Sequence, residues 1–396
     1  SSWLYAAMLL ANDAIGAGLL HFPKAFRDAG GVMISVVVQM VLMVFIVLAF
    51  FILVYGSDVN NSATYQDTIH AVCGKGAWVA CSGCIFLYCF GLSLTLLIII
   101  GDQWQQFFQF LECVRCHEEQ GPLYTRRWFT ITVSSVLCIL PLIFPRRIDF
   151  LKYASVIGVF SSICVVGLIT AQYFLPEQWT EIFRVVPDIC FSYQCHIAAV
   201  PIYSCMEKRN MVEYCKTIGL CMSVCVFIYT VTATLGYLTF GDRVTSDILL
   251  SYRPDVVVLI AVIFTAVKSY TTYPIFLFCG RTALDSLWFS LRGSTSESET
   301  EFQERLRRVS VSSLWFFITL LLAVFIPDLG VVIQMLGSLA AVFIFVFPGM
   351  CLLRMAEGQG CWTLRTYVIV SMSVVFISLG AFMFGLTLTQ SLVTSF

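Results

Sequence analysis

Eleven apolar stretches divide the chain, at approximately 3–27, 32–55, 77–101, 128–144, 151–175, 188–206, 217–239, 254–279, 311–326, 329–353 and 364–389. Polar residues, Pro or Gly bound each of them, as expected of membrane spans. A helix needs roughly 20 apolar residues to cross the hydrocarbon core, so the pattern predicts an all-α membrane protein of eleven transmembrane helices. Two stretches break the pattern. The first carries Asn12, Asp13 and Gly16-Ala17-Gly18 at bilayer depth. The sixth runs Phe191-Ser192-Tyr193-Gln194-Cys195-His196 before Pro201, which removes the hydrogen bond to Ile197 and places a break near 194–197. Residues 64–73 (TYQDTIHAVC) predict a short amphipathic helix lying along the surface.

Composition agrees: of 396 residues 59% are hydrophobic and 12% charged, about half the charge of a soluble protein. The formal net charge of −1 gives no reason to expect a nucleic acid partner. The chain starts at Ser1, so a native N-terminal tail is expected to be missing, and no cleavable signal peptide is visible. With the N-terminus in the cytosol, the cytosolic connections collect the larger share of loop Lys and Arg, among them Arg146, Arg147, Lys152, Lys208, Arg209 and Lys216. An odd number of spans then puts the C-terminus in a lumen or outside the cell. Residues 293–303 (GSTSESETEFQ) read as a polar, disordered stretch within a cytosolic linker at 281–310. The Asn60-Asn61-Ser62 sequon falls on the cytosolic side and should stay unglycosylated.

Most of the 17 cysteines lie in apolar spans (Cys81, Cys84, Cys89, Cys164, Cys221, Cys225), where cysteine acts as a small hydrophobe. Cys113 and Cys116 lie in a polar loop. They are either a lumenal disulfide or two free thiols, and no second CxxC accompanies them to complete a metal site.

Glycine weakens a helix, and an opened backbone survives in a membrane only where protein or a polar cavity satisfies it. Unwinding from Asn12 to Gly18 would present N–H groups at the start of the following half-helix, which suit a carboxylate. It would also free carbonyls at the end of the preceding half-helix, which suit a cation or an ammonium group. A zwitterionic amino acid fits both. The plainer reading is a glycine-lined packing face, but Asn12 and Asp13 beside the glycines favour a site. In the sixth span, Phe191, Tyr193 and Gln194 would flank a side-chain pocket, and His196 is either a proton relay or a histidine satisfied within the protein. The eighth span holds Thr271 and Thr272, hydroxyl oxygens of the kind a hard cation such as sodium takes. A threonine in a helix more often bonds its own backbone. Lys268, one turn before Thr272 on the same face, must find a partner or a cavity.

On ANDAIGAGLLHFPKAF (11–26), LIIIGDQ (97–103), PRRIDFLKYAS (145–155), YQCHIAAVPIY (193–203), TTYPIFLFCGR (271–281) and FIFVFPGMCLL (343–353), the whole chain resembles the sodium-coupled neutral amino acid transporters of the amino acid/auxin permease superfamily, closest to the lysosomal glutamine transporter branch. The resemblance implies eleven helices in a five-plus-five inverted repeat (LeuT-like). The halves would lie at approximately 1–175 and 188–353, with an extra helix at 364–389, helices 1 and 6 broken, and transport by alternating access. It implies glutamine and related neutral amino acids as substrates, a lysosomal or plasma membrane, and a monomer in the lipid bilayer. Asn12 and Thr272 match the family's sodium-site positions, and Gly16, Ala17 and Gly18 its substrate-carboxylate loop. No bound cofactor is implied beyond sodium or a proton as coupling ion.

The chain departs from the family at Asp13, where a small residue is usual, and at Lys268. These two charges are hypothesised to form a buried ion pair beside the sodium site. In one reading the pair is structural and sodium binds Asn12 and Thr272. In the other the lysine ammonium replaces sodium, and coupling is sodium-independent or proton-linked. A second function class, an amino-acid sensor that signals to a cytosolic partner, differs from a carrier in having no flux. A third, an intramembrane enzyme, is excluded, since the chain has no Walker A, HExxH or GxSxG motif and no pair of opposed intramembrane aspartates.

Overall fold

The computed structural model describes residues 2–115, 126–143, 185–207, 209–252, 255–292, 300–326, 328–357 and 364–395. The described elements are all helices: α1 (Trp3–Ala14), α2 (Gly18–Asp28), α3 (Val32–Asn60), α4 (Tyr65–Cys73), α5 (Lys75–Arg115), α6 (Arg127–Cys138), α7 (Val185–Ser192), α8 (His196–Ser204), α9 (Met211–Phe240), α10 (Val256–Arg292), α11 (Glu301–Phe325), α12 (Leu329–Ala341), α13 (Phe347–Glu357) and α14 (Leu364–Ser395). Among the described residues, eight helices are long and apolar enough to cross a membrane, or nine if α1 and α2, bent by 60° at their junction, form one span. The expected span at 151–175 lies outside the described residues, as does the side-chain chemistry of Cys113 and Cys116. Exposed Val37, Val41 and Val44 recur at helical spacing along α3, an apolar stripe suited to lipid.

The chain forms two compact units. One comprises Ser1–Cys84, Pro176–Thr234 and Ile333–Phe396, and the other Ile85–Leu175 and Leu235–Val332.

In the first unit, α2 turns into α3 through Gly30 (φ 84°) and Gly31 (φ 115°), backbone values that a side chain would strain. Gly337 lets α12 lie against α7, since a Cβ there would meet the Pro187 carbonyl oxygen at 2.4 Å. A π-helical turn, Val342–Val346, joins α12 to α13. Tyr65 of the short helix α4 donates its hydroxyl to the Phe343 carbonyl in that turn, at 3.0 Å. The amphipathic pattern of α4 is visible in its burial: Tyr65, Thr68 and Ile69 are covered, while Asp67 and His70 are exposed.

In the second unit, polar side chains join the helices. Gln103 donates to Asp247 (2.7 Å) and Gln106 to the carbonyls of Leu249 (2.9 Å) and Tyr252 (3.1 Å), pinning the segment before α10 to α5. Arg127 of α6 pairs with Asp102 of α5 at 3.1 Å. Trp104 bonds the Tyr270 hydroxyl (2.7 Å), and Tyr273 and Thr319 share a bond of 2.6 Å. Such bonds hold helices together where lipid supplies no hydrophobic drive.

Two sequence expectations need correction. The supposed linker 281–310 is helical at both ends: α10 continues to Arg292, and α11 starts at Glu301 rather than near 311. Arg281 is buried and donates to Ser312 at 3.0 Å, which holds α10 to α11 beyond the expected end of the span. The last residues of the polar stretch are a capping box, Thr300 with Gln303, so they start a helix rather than a coil. In the sixth span, the helix stops at Ser192 and resumes at His196, slightly before the expected break, and Pro201 lies inside α8.

Candidate functional site

The first unit gathers the candidate residues of the first and sixth spans. At the end of α1, Ile15 bonds back to the Ala11 carbonyl (2.8 Å) and Gly16 to the Ala14 carbonyl (2.8 Å). The next turn satisfies Leu19 with Gly16 (3.1 Å) and Leu20 with Ala17 (3.2 Å). Among the described residues, the N–H groups of Ala17 and Gly18 are then the open donors of α2, at the positive end of its dipole. The Asn12 carbonyl is passed over in the same way, and the buried Asn12 Oδ1 has no hydrogen-bond partner. Asn12 therefore offers oxygen and Ala17–Gly18 offer N–H, on the two sides of one short turn.

The second interruption lies against the first. A Cβ built on Gly18 would fall 2.1 Å from Ser192 Oγ and 2.8 Å from Ser192 Cβ, so α2 starts in direct contact with the end of α7. Phe191 is buried in the last turn of α7. The Tyr193 side chain is fully enclosed, its hydroxyl accepting from Gln39 at 2.7 Å, and Gln39 also donates to Thr230 at 3.0 Å. Gln194 Oε1 lies 3.0 Å from His196 Nδ1, and His196 Nε2 lies 3.1 Å from the Ile46 carbonyl. His196 is also stacked 3.8 Å from the Phe50 ring, so it is satisfied inside the unit. His21 of α2 and Asp188 of α7, both buried, pair at 3.4 Å.

Orphaned polar atoms accumulate here: Asn12 Oδ1, Ser192 Oγ and Gln194 Nε2 are buried without hydrogen-bond partners among the described residues. Most buried polar groups are bonded, so three orphans beside two interrupted helices point to a ligand. Asn12 Oδ1, an uncommitted oxygen beside a helix C-terminus, fits a hard cation.

Thr271, Thr272 and Lys268 belong to α10, in the second unit. The Thr271 hydroxyl donates to the Val267 (3.1 Å) and Lys268 (2.9 Å) carbonyls, the backbone-bonding role usual for threonine in a helix. Thr272 points about 100° away around the helix.

Sequence reasoning missed Gln39, Ser192, Asp188, His21 and Tyr229. Gln39 and Asp188 left a signal, a polar residue inside or at the edge of an apolar stretch. Tyr229 left none.

The Gly18–Ser192 contact gives a direct test. Gly18→Ala is expected to lower the initial uptake rate by about 5- to 150-fold, because overpacking costs about 1–3 kcal/mol. Adding Ser192→Gly, which removes the clashing atoms, should recover part of the rate. Unchanged uptake in Gly18→Ala would show that the helix ends do not meet as described.

A solved structure, MhsT in complex with L-phenylalanine, matches over 98% of this chain and 98% of its own with a TM-score of 0.56, a likeness of fold at 11% identity. The chain belongs to the transmembrane amino acid transporter family, whose model, "Transmembrane amino acid transporter protein", matches residues 1–391. It is 40% identical over 407 residues to Sodium-coupled neutral amino acid transporter 7 of Danio rerio, covering 99% of this chain and 87% of that protein. The Homo sapiens protein of the same name is 39% identical, covering 99% and 88%. Solute carrier family 38 member 8 of Homo sapiens is 38% identical over 365 residues, covering 88% and 84%. The chain is thus a multi-pass membrane protein of a transporter family, and not an enzyme.

Proposed function

We propose that this protein is a sodium-coupled carrier of neutral amino acids that works by alternating access. The observation that carries the proposal is the set of open groups at the first interruption: Ala17 and Gly18 N–H on one side, Asn12 oxygens on the other. The substrate carboxylate takes the N–H groups of Ala17 and Gly18, while Gly16, whose N–H bonds the Ala14 carbonyl, shapes the turn that presents them. Sodium takes Asn12, with Thr272 as a second ligand and Thr271 a weaker candidate. Phe191, Tyr193 and Gln194 border the substrate side chain. Gln194 Nε2, a buried donor without a partner, suits the amide carbonyl of glutamine, and unpaired polar groups in a site discriminate strongly.

Asp13 and Lys268 are proposed as a compensating charge pair, on the sequence argument that a charge at mid-span needs a partner. Sodium coupling is preferred over proton coupling through Lys268, because Asn12 keeps an uncommitted oxygen and two of the relatives named above are called sodium-coupled. The protein is proposed to act as a monomer of eleven spans, with the N-terminus cytosolic, in a lysosomal or plasma membrane. Its five-plus-five inverted repeat draws support from the units, since one takes the first two spans of each half together with the last two apolar stretches of the chain, and the other takes the remaining spans of each half.

Competition tests the specificity. Uptake of labelled glutamine should be inhibited by unlabelled alanine, asparagine and glutamine, and unaffected by arginine or glutamate. Inhibition by the charged amino acids alone would refute it.

A further inference from the structure

Tyr229 lies on α9 and is fully buried. Its hydroxyl is 2.8 Å from the Ala14 carbonyl and 3.2 Å from the Ser192 carbonyl. These are the last residues of α1 and α7, the two half-helices that end at the interruptions. Each carbonyl lies at the negative end of a helix dipole, where the regular i+4 N–H is missing; the Ala14 carbonyl also accepts from Gly16 at 2.8 Å. The hydroxyl has a single hydrogen, which two acceptors share.

The surroundings fix that hydroxyl in place. The Tyr229 ring packs on Phe22 of α2 (centroids 4.6 Å apart) and on Tyr193 in the second interruption (5.1 Å). Thr230, the next residue, accepts from Gln39, which also holds the Tyr193 hydroxyl. One face of α9 therefore touches α1, α2, α7 and the turn that follows α7. The interruptions also approach at Gly18 and Ser192, a steric contact in which Ser192 Oγ has no hydrogen-bond partner among the described residues.

We infer that Tyr229 is a positioning residue for the substrate site: its hydroxyl joins the C-terminal ends of the two half-helices, so that both interruptions hold one shape and respond to a ligand together. The inference deepens the proposed function and rests on amino-acid binding at these interruptions. Without its hydroxyl, each interruption relaxes separately, and the order lost must be restored on binding. A single buried hydrogen bond of this kind is worth about a tenfold change in affinity.

The test is equilibrium binding of radiolabelled glutamine, in sodium, to the purified full chain and two variants. Tyr229→Phe removes the shared hydrogen and keeps the ring. Tyr203→Phe removes another buried tyrosine hydroxyl of the same unit, one that donates to Asp58 at 2.9 Å. Tyr229→Phe should raise Kd about tenfold, and Tyr203→Phe should leave Kd within about twofold, at similar losses of melting temperature. Equal Kd shifts in both variants, or none in Tyr229→Phe, overturn the inference, because a general structural role would act through stability alone. Hydrogen exchange on the unaltered protein gives a second reading that needs no variant. Glutamine should protect the amides of 15–18 and 193–196 together, and protection confined to one interruption overturns the inference. Loss of transport with binding intact would count against the carrier reading only. No binding by the unaltered protein would remove both.

Discussion

Asn12→Ala is expected to lower the apparent sodium affinity of amino-acid uptake by about 10–100-fold, with a much smaller effect on substrate affinity at saturating sodium. The magnitude follows from the worth of a bond to a charged group, about 1.5–3 kcal/mol. Asn12 Oδ1 is buried and bonded to nothing among the described residues, so its removal breaks no internal hydrogen bond. A residue that serves folding alone would show the opposite pattern, a loss of stability with unchanged sodium dependence. Sodium titration of initial rates measures the effect. An unchanged half-saturation point would remove Asn12 from the cation site.

The second large effect concerns Asp13 and Lys268. If the two charges compensate one another, Asp13→Asn or Lys268→Met alone leaves a charge without its partner in a low-dielectric setting, at a cost of about 3–5 kcal/mol. Each single variant is then expected to lose nearly all uptake. The double variant should lose far less than the sum, because neither charge remains. Simple additivity of the two losses would show that the residues do not interact. Sodium dependence in the double variant separates the two roles the sequence left open. If it persists, the pair is structural. If it disappears, the lysine takes part in coupling.

Much of the architecture was legible because a membrane imposes a strong rule. Every backbone polar group in lipid must be bonded internally, so apolar stretches of sufficient length become helices, and the departures from that pattern carry information. The polar residues within Asn12–Gly18 and Phe191–His196 stand out against apolar surroundings, and the described helices are interrupted inside those stretches, between Ala14 and Gly18 and between Ser192 and His196. Only the end of the polar stretch, Thr300–Gln303, departs from expectation among the described residues. Its Ser and Glu content suggested coil, but the local pattern Thr300-x-x-Gln303 is a helix start, and it outweighs average composition.

The contacts that organise the site were less accessible. Tyr229 is one of 16 tyrosines, in an apolar helix, with nothing local to distinguish it. Its significance comes from two carbonyls far away in sequence, each the last of a helix that stops. Ser192 was within a quoted stretch and was passed over, because its role depends on the Cα of Gly18 lying against it. Gln39 could have been flagged by the same rule that flagged Asn12, since an amide inside a helix as apolar as α3 needs partners. The structure supplies Tyr193 and Thr230.

The central claim is that this chain carries neutral amino acids across a membrane, driven by sodium. Its most direct test is uptake of labelled glutamine into proteoliposomes containing the purified protein, under an inward sodium gradient, under choline in its place, and under a proton gradient with choline. Accumulation that requires the sodium gradient is the predicted result. Accumulation driven by the proton gradient without sodium would contradict the sodium coupling assigned to Asn12 and point to Lys268. No accumulation under any gradient, with glutamine binding intact, would contradict the carrier itself and leave a sensor.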